Sequence, residues 1–139
     1  MSLNIEKWIV AALAAVAAFF VSLPAVYWAL IGAMAMDIII GTLHAASEGR
    51  ISSWVAFVGV TKKAAVLIVV GLAALIGHTL AAMIPVDVNI PLGQAVALFY
   101  VAGEAISVLE HAAAMGVPVP GFLRRILEGW KEERDDAAH

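Results

Sequence analysis

The chain lacks cysteine and has few charged residues. Without cysteine it can form neither a disulfide framework nor a cysteine-based metal or nucleophilic site. Only 14% of its 139 residues are charged and the net charge is −3, so no broad basic surface for nucleic acid is expected. Hydrophobic residues make up 63% of the chain and the mean hydropathy is +0.98. This apolar share exceeds the roughly 45 to 50% of a soluble domain, which predicts one integral membrane domain over residues 1–139.

Four apolar segments are long enough to cross a bilayer, and they cover residues 5–23, 25–46, 63–84 and 92–115. The third and fourth are separated by turn residues, namely Pro85, Asp87, Asn89 and Pro91. A cleaved signal sequence is the alternative for the first segment. Against it, Glu6 cancels the charge of Lys7 and no clear cleavage site follows. We therefore predict an all-α, polytopic membrane protein with four transmembrane helices.

The basic residues are distributed asymmetrically about these segments. They lie at the start of the first segment, from the end of the second to the start of the third, and after the fourth: Lys7, Arg50, Lys62, Lys63, Arg124, Arg125, Lys131 and Arg134. Because basic residues mark cytoplasmic loops, this predicts that both termini are cytoplasmic. The predicted cytoplasmic anchors are Arg50, Lys62, Lys63, Arg124 and Arg125. A three-span topology, with the first segment in the interface, would place Lys7 outside against this rule.

Two shorter segments have the amphipathic pattern of interfacial helices. Between the second and third spans, the N-cap candidates Ser52 and Ser53 precede Trp54 and Phe57, which fall on one helical face. Residues 120–134 form a second such helix. Its apolar stripe consists of Phe122, Leu123, Ile126, Leu127 and Trp130. This pattern is typical of a helix lying on the membrane surface, and a solvated helix packed on its own protein is the open alternative.

Ionisable residues inside the spans are the strongest functional signal, since each costs about 2.5 to 3.5 kcal/mol at a helix centre. In the second span, Gly41, His44 and Glu48 follow Asp37 at offsets of four, seven and eleven on one face of the helix, and the fourth span repeats these three offsets from Tyr100. His78 adds a polar group to the third span. The predicted intramembrane polar or pore-facing residues are Asp37, Gly41, His44, His78, Tyr100, Glu104, Ser107, Glu110 and His111.

These two stripes have two interpretations. In the first, the stripes face each other or a water-filled lumen formed by several copies. In the second, they hold one monomer together and take no part in conduction. If Asp37 and Glu104 approach each other at mid-depth, like-charge repulsion is expected to keep at least one of them protonated. In the third span, the small-residue ladder of Ala73, Gly77 and Ala81 is expected to let another helix come close.

Metal binding and catalysis have little support. No pair of histidines has a metal-ligand spacing on one helix, and Ser107 has no Ser-His-Asp arrangement around it. The glycines are scattered through helices and form no phosphate-binding loop. We predict no metal, no cofactor and no enzymatic activity.

A series of residues in chain order resembles the toxin-secretion and phage-lysis holin family. The series is Asp37, Gly41, Gly49, Ile51, Ser52, Ser53, Gly59, Lys62, Lys63, Phe99, Tyr100, Glu104, Ser107, Leu109, Glu110, Gly116, Pro118, Pro120 and Leu123. The resemblance implies a protein of the host's cytoplasmic membrane that meets membrane lipids and assembles as a homo-oligomer. Its pores or lesions would release an endolysin, or in some systems a toxin, and so cause host lysis without direct binding of the endolysin.

Two other functions remain open from the sequence. One is a small ion or solute channel or transporter, in which Asp37, His78 and Glu104 act as a relay across a midplane site. The other is an antiholin-like regulatory membrane subunit that binds a partner helix and opens nothing.

Overall fold

The computed structural model describes residues 2–85 and 89–136. The predicted turn residue Asp87 and the side chains of Leu127 and Trp130 lie outside that description. Five helices follow one another along the chain: α1 (Ser2–Ser22), α2 (Ala25–Ser47), α3 (Ser53–Met83), α4 (Leu92–Ala114) and α5 (Gly121–Asp136). The first four are long and apolar enough to cross a membrane. The prediction of a helical chain with four span-length apolar segments is thereby confirmed.

Helix α3 is longer than the predicted third span, and the separate interfacial helix predicted before it is wrong. One continuous helix of 31 residues runs from Ser53 to Met83. At a rise of 1.5 Å per residue this is about 46 Å, well above the roughly 30 Å of a hydrocarbon core. Ser52 caps the helix, its hydroxyl accepting from the Val55 N–H at 3.5 Å. No proline interrupts residues 53–62, so the amphipathic segment around Trp54 continues into the span as the first turns of α3.

Helices α2, α3 and α4 form the packed part of the molecule. Helix α4 lies against both of the others, with its most extensive contact on α2. The buried cluster at their centre consists of Leu30, Met34, Val70 and Ala97. The described side chains of α1 are exposed, and its C-terminal end meets α2 through the rings of Phe20 and Trp28, whose centroids are 6.3 Å apart. Most of the apolar surface therefore faces outward, as expected for helices surrounded by lipid.

Small residues let α3 and α4 approach closely. A Cβ atom added to Gly93 would lie 2.5 Å from the Cβ of Ala74 and 2.7 Å from the hydroxyl oxygen of Tyr27. One added to Gly77 would lie 2.7 Å from the carbonyl oxygen of Ile90. All three distances are far below van der Waals contact. Part of the predicted small-residue ladder of α3 is thus occupied by α4 of the same chain.

Helices α2 and α4 end in the same way and on the same side of the bundle. Gly49 and Gly116 follow these helices with φ angles of 66° and 85°, which glycine adopts without steric cost. At both ends the N–H groups of the glycine and of the next residue bond to carbonyls of the last helical turn, as in a Schellman motif. The start of α3 lies on this side as well, because only residues 48–52 join it to α2. This shared side is called the Gly49 face below.

Candidate functional site

Three helices bring one charged residue each to the same depth. Asp37 of α2, Lys63 of α3 and Glu104 of α4 each lie ten residues from the end of their helix at the Gly49 face. Those ends are Ser47, Ser53 and Ala114. Ten residues of helix correspond to about 15 Å, half of a hydrocarbon core. The three groups therefore meet near the middle of the span-length part of the bundle.

The ammonium group of Lys63 lies between the two carboxylates. Its Nζ is 3.0 Å from Oδ2 of Asp37, and it donates a hydrogen bond to Oε2 of Glu104. The side chains of Asp37, Lys63 and Glu104 are 16%, 15% and 13% exposed in the isolated chain. Because a buried charge is stable only when paired, the ammonium stabilises both acids at once.

Lys63 departs from its predicted role as a cytoplasmic anchor. The prediction began the third span at this residue, whereas α3 begins at Ser53. Lys63 is consequently an interior residue of the helix, while its neighbour Lys62 is exposed. The prediction that at least one of Asp37 and Glu104 stays protonated assumed that the two acids meet alone. With a cation between them, their repulsion no longer requires that proton.

Two histidines extend this cluster toward the Gly49 face. Nε2 of His111 on α4 is 3.8 Å from Oδ1 of Asp37. Nδ1 of His111 is 3.2 Å from Nδ1 of His44 on α2, and the two rings meet edge to face. Gly41 makes room for this contact, since a Cβ there would lie 3.3 Å from Nε2 of His111. The polar stripes of α2 and α4 thus meet within one chain.

The outer end of the cluster is an exposed ion pair. Oε2 of Glu48, the residue after α2, is 3.7 Å from Nε2 of His44 and accepts a hydrogen bond from Arg50. The hydrogen bond from the Arg50 guanidinium holds the pKa of the Glu48 carboxyl below its ordinary value of 4.5, and attraction to His44 adds to the effect. A continuous series of contacts, called the polar cluster below, therefore joins mid-depth to the Gly49 face. Its members are Glu104, Lys63, Asp37, His111, His44, Glu48 and Arg50.

Other predicted site residues lie apart from the polar cluster. Tyr100 packs against the apolar core at the α2–α4 contact. Ser107 and Glu110 are half-buried on α4. His78 is exposed, and it lines a cleft of about 370 Å³ with Gln94 and other residues near the start of α4. The structure thus separates His78 from the acids with which a transmembrane relay would have to connect it.

The remaining predicted anchors are on the surface. Arg50, Lys62, Arg124 and Arg125 are exposed, the last two on α5. Phe122 and Ile126 of α5 are also exposed, at 59% and 50%, so neither of these two apolar side chains is buried against the rest of the chain. Within residues 2–85 and 89–136, no group of three histidine or acidic side chains is arranged to hold a metal ion.

Comparison with known proteins identifies a family. Residues 14–132 match the model of the bacteriophage holin family. An uncharacterized protein of Halalkalibacterium halodurans is 28% identical over 126 residues, which cover 87% of this chain and 90% of that protein. An uncharacterized protein of Listeria innocua is 35% identical over 106 residues, or 72% of this chain and 71% of that protein. No solved structure matches the chain. The family match contains all of α2, α3 and α4, and with them the polar cluster.

Proposed function

Because the chain belongs to the bacteriophage holin family, we propose that it permeabilises the cytoplasmic membrane of a bacterial host. Copies accumulate in that membrane, assemble as homo-oligomers and open pores or lesions. An endolysin, or a toxin in a secretion system, then crosses without binding the protein, and the host lyses. The family match over residues 14–132 carries this proposal. Proteins of this family are membrane proteins without enzymatic activity, so the chain is assigned no catalytic step.

The proposed topology places both termini and the Gly49 face in the cytoplasm. Arg50 lies at this face, and α5, with Arg124 and Arg125, follows the end of α4 there. Basic residues are retained on the cytoplasmic side, and the anionic lipids of that leaflet attract them further. The exposed apolar side chains of α5 support a position on the membrane surface, with its basic residues toward the headgroups.

The polar cluster suggests how one chain can be stable before and after opening. In the resting bundle, Asp37, Lys63 and Glu104 satisfy one another inside a single copy. If α2, α3 and α4 separate, these groups cannot turn toward acyl chains, because each ionised side chain would cost several kcal/mol there. They can turn toward water held between several copies. The same residues thus stabilise the closed bundle and line the proposed lumen.

Inducible expression in a bacterium tests this function, with and without a co-expressed muralytic enzyme that has no export signal of its own. We expect the membrane potential to collapse in both strains and turbidity to fall only where the active enzyme is present. A catalytically inactive enzyme is the control, and it should allow the collapse without lysis.

Other outcomes would identify the alternatives. Saturable, ion-selective flux through proteoliposomes, with retention of larger solutes, would indicate a channel or transporter instead. Undisturbed growth and an intact membrane potential would contradict the proposal and favour a regulatory subunit. Release of enzyme-sized fluorescent dextrans from the same vesicles would support it.

A further inference from the structure

A cleft at one end of the bundle lies apart from the polar cluster. It is formed where α2 and α4 begin and α3 ends, which is the end opposite the Gly49 face. Its volume of about 370 Å³ is at the lower end of the roughly 300 to 1,000 Å³ that ligand pockets occupy. The cleft therefore has room for a small ligand or for one part of a larger ligand.

Small residues of α3 and α4 leave this space open. Ala74, Gly77 and Ala81 of α3 and Gly93 of α4 line the cleft. Gly77 and Gly93 are buried where the two helices meet, and Ala81 lies one turn nearer the end of α3. The small-residue ladder of α3 thus continues from its contact with α4 into the cleft.

Four side chains with hydrogen-bonding groups also line the cleft. They are Tyr27 of α2, His78 of α3, Asn89 before α4 and Gln94 of α4. The phenol hydroxyl and the two amides can each donate and accept, and the imidazole presents two ring nitrogens. None of the four side chains is hydrogen-bonded to another residue that the structure describes. Their polar groups are consequently available to a ligand.

Charge narrows the class of ligand. The described lining contains no aspartate, glutamate, lysine or arginine. A charged group would lose water in the cleft without meeting an opposite charge, whereas hydroxyl groups donate and accept as the lining does. We propose that the cleft binds the uncharged polyhydroxyl headgroup of a lipid, namely a sugar joined to diacylglycerol.

The surroundings of the cleft favour a lipid over a free sugar. Tyr27 and Gln94 are each the third residue of their helices, so the cleft lies where the spans end and the headgroup region begins. At the end of α3, Leu80, Met83 and Ile84 are 44%, 76% and 41% exposed. Acyl chains can pack along these apolar side chains while the headgroup enters the cleft. The site belongs to the folded chain and does not depend on whether the protein forms lesions.

Native mass spectrometry of the full-length protein, released from detergent micelles, measures this binding. Three lipids with the same acyl chains are compared: glucosyl-diacylglycerol, diacylglycerol and phosphatidic acid. We expect the glucosyl lipid to bind at least about tenfold more tightly than diacylglycerol, because its hydroxyl groups form several hydrogen bonds in the cleft. Free glucose at the same concentration should leave the bound fraction of the glucosyl lipid unchanged.

Three results would overturn the proposal. Equal affinity for diacylglycerol would show that the sugar is not recognised. Tighter binding of phosphatidic acid would indicate an anion site at the start of α4 instead. Displacement of the glucosyl lipid by free glucose would show that the ligand is a solute and not a lipid.

Two substitutions in adjacent residues of α3 test the location of the site. Ala81→Leu places a larger side chain in the cleft and should weaken binding of the glucosyl lipid at least about tenfold. Ala82→Leu, in an exposed residue outside the cleft, is the matched control and should bind as the unchanged protein does. Equal binding by these two variants would overturn the location.

A third variant tests the hydrogen bonds without filling the cleft. Gln94→Leu removes one amide and should weaken binding of the glucosyl lipid about tenfold while binding of diacylglycerol stays the same. Circular dichroism checks that each variant keeps its helices. If Ala81→Leu does not fold, unchanged binding by Gln94→Leu would still contradict the proposal.

Discussion

Replacing Lys63 by methionine removes the cation that two intramembrane acids share. Methionine keeps the length and apolar stem of the side chain, so the packing of α3 is little changed. The matched control is Lys62→Met, one residue earlier on the same helix, where the side chain is exposed. We expect Lys63→Met to destabilise the bundle strongly and Lys62→Met to have little effect.

The size of the loss follows from the geometry. Oxygens of Asp37 and Glu104 lie within roughly 6 Å of each other, because each is in hydrogen-bond range of the same nitrogen. Two negative charges at that separation repel by about 3 kcal/mol at an effective dielectric constant near 20. Removing one partner of a buried pair costs about 3 to 5 kcal/mol in comparable cases. We therefore expect a loss of about 3 kcal/mol, against less than about 0.5 kcal/mol for the exposed control.

Unfolding of the purified protein in mixed micelles by increasing amounts of dodecyl sulfate, followed by circular dichroism, measures this loss. The double variant Lys63→Met with Glu104→Gln removes one negative charge together with the positive one. Asp37 is then the one acid left of the pair, so two like charges no longer face each other. We expect the double variant to recover more than half of the lost stability, which is a coupling that independent sites do not show.

Two results would refute this reasoning. If Lys63→Met and Lys62→Met unfold at the same detergent fraction, Lys63 does not neutralise the acids in the membrane. If the double variant is less stable than Lys63→Met alone, the hydrogen bonds made by Glu104 determine the stability of the bundle and the net charge of the cluster does not.

Three further predictions concern packing, electrostatics and topology. Gly93→Ala should lower the free energy of unfolding by about 1 to 3 kcal/mol, because the added Cβ lies within 3 Å of backbone and side-chain atoms. Gly103→Ala on the same helix is the control and should have little effect, because a Cβ there has no atom within 4 Å. An equal effect of the two substitutions in the micelle titration would contradict this. Arg50→Gln should raise the pKa of Glu48 toward 4.5 in a carboxyl NMR titration, with the stability almost unchanged because the pair is exposed. An unchanged pKa of Glu48 would contradict this. A single cysteine introduced at Arg50 should react with an impermeant maleimide only in inverted vesicles, and one at Asn89 only in intact spheroplasts; the reverse pattern would exclude the proposed topology.

Apolar runs predicted the helices well because a bilayer leaves few choices to an apolar segment of about twenty residues. Their boundaries were right to within about three residues for α1, α2 and α4. The predicted start of the third span is wrong because the adjacent lysines Lys62 and Lys63 were interpreted as the boundary at which the span begins. Charge marks a cytoplasmic boundary only when the side chain faces water, and residues 53–62 contain no proline that would end a helix there.

The position of Lys63 was nevertheless encoded in the chain. Asp37 lies ten residues before the end of α2, and a hairpin partner at equal depth lies ten residues after the start of α3, which is residue 63. Finding it required the true start of the helix, and that depends on the Ser52 cap. The contact between His44 and His111 had a weaker signal. Equal offsets along two helices show that polar stripes exist but not the rotation at which the helices pack.

The balance of polar and apolar contacts explains why such a bundle suits a protein that must change its state. Among the described residues, the large buried apolar side chains are Leu30, Met34 and Val70, so the apolar core is small. There is also no hydrophobic driving force between helices in lipid, because an apolar side chain can contact acyl chains almost as favourably as another helix. The polar cluster therefore specifies which faces of α2, α3 and α4 meet. Separating the charged groups of the polar cluster from one another costs much free energy in lipid but little in water. Under the proposed function, the bundle is therefore expected to be stable while its surroundings stay dry and to separate only where several copies bring water to the same depth.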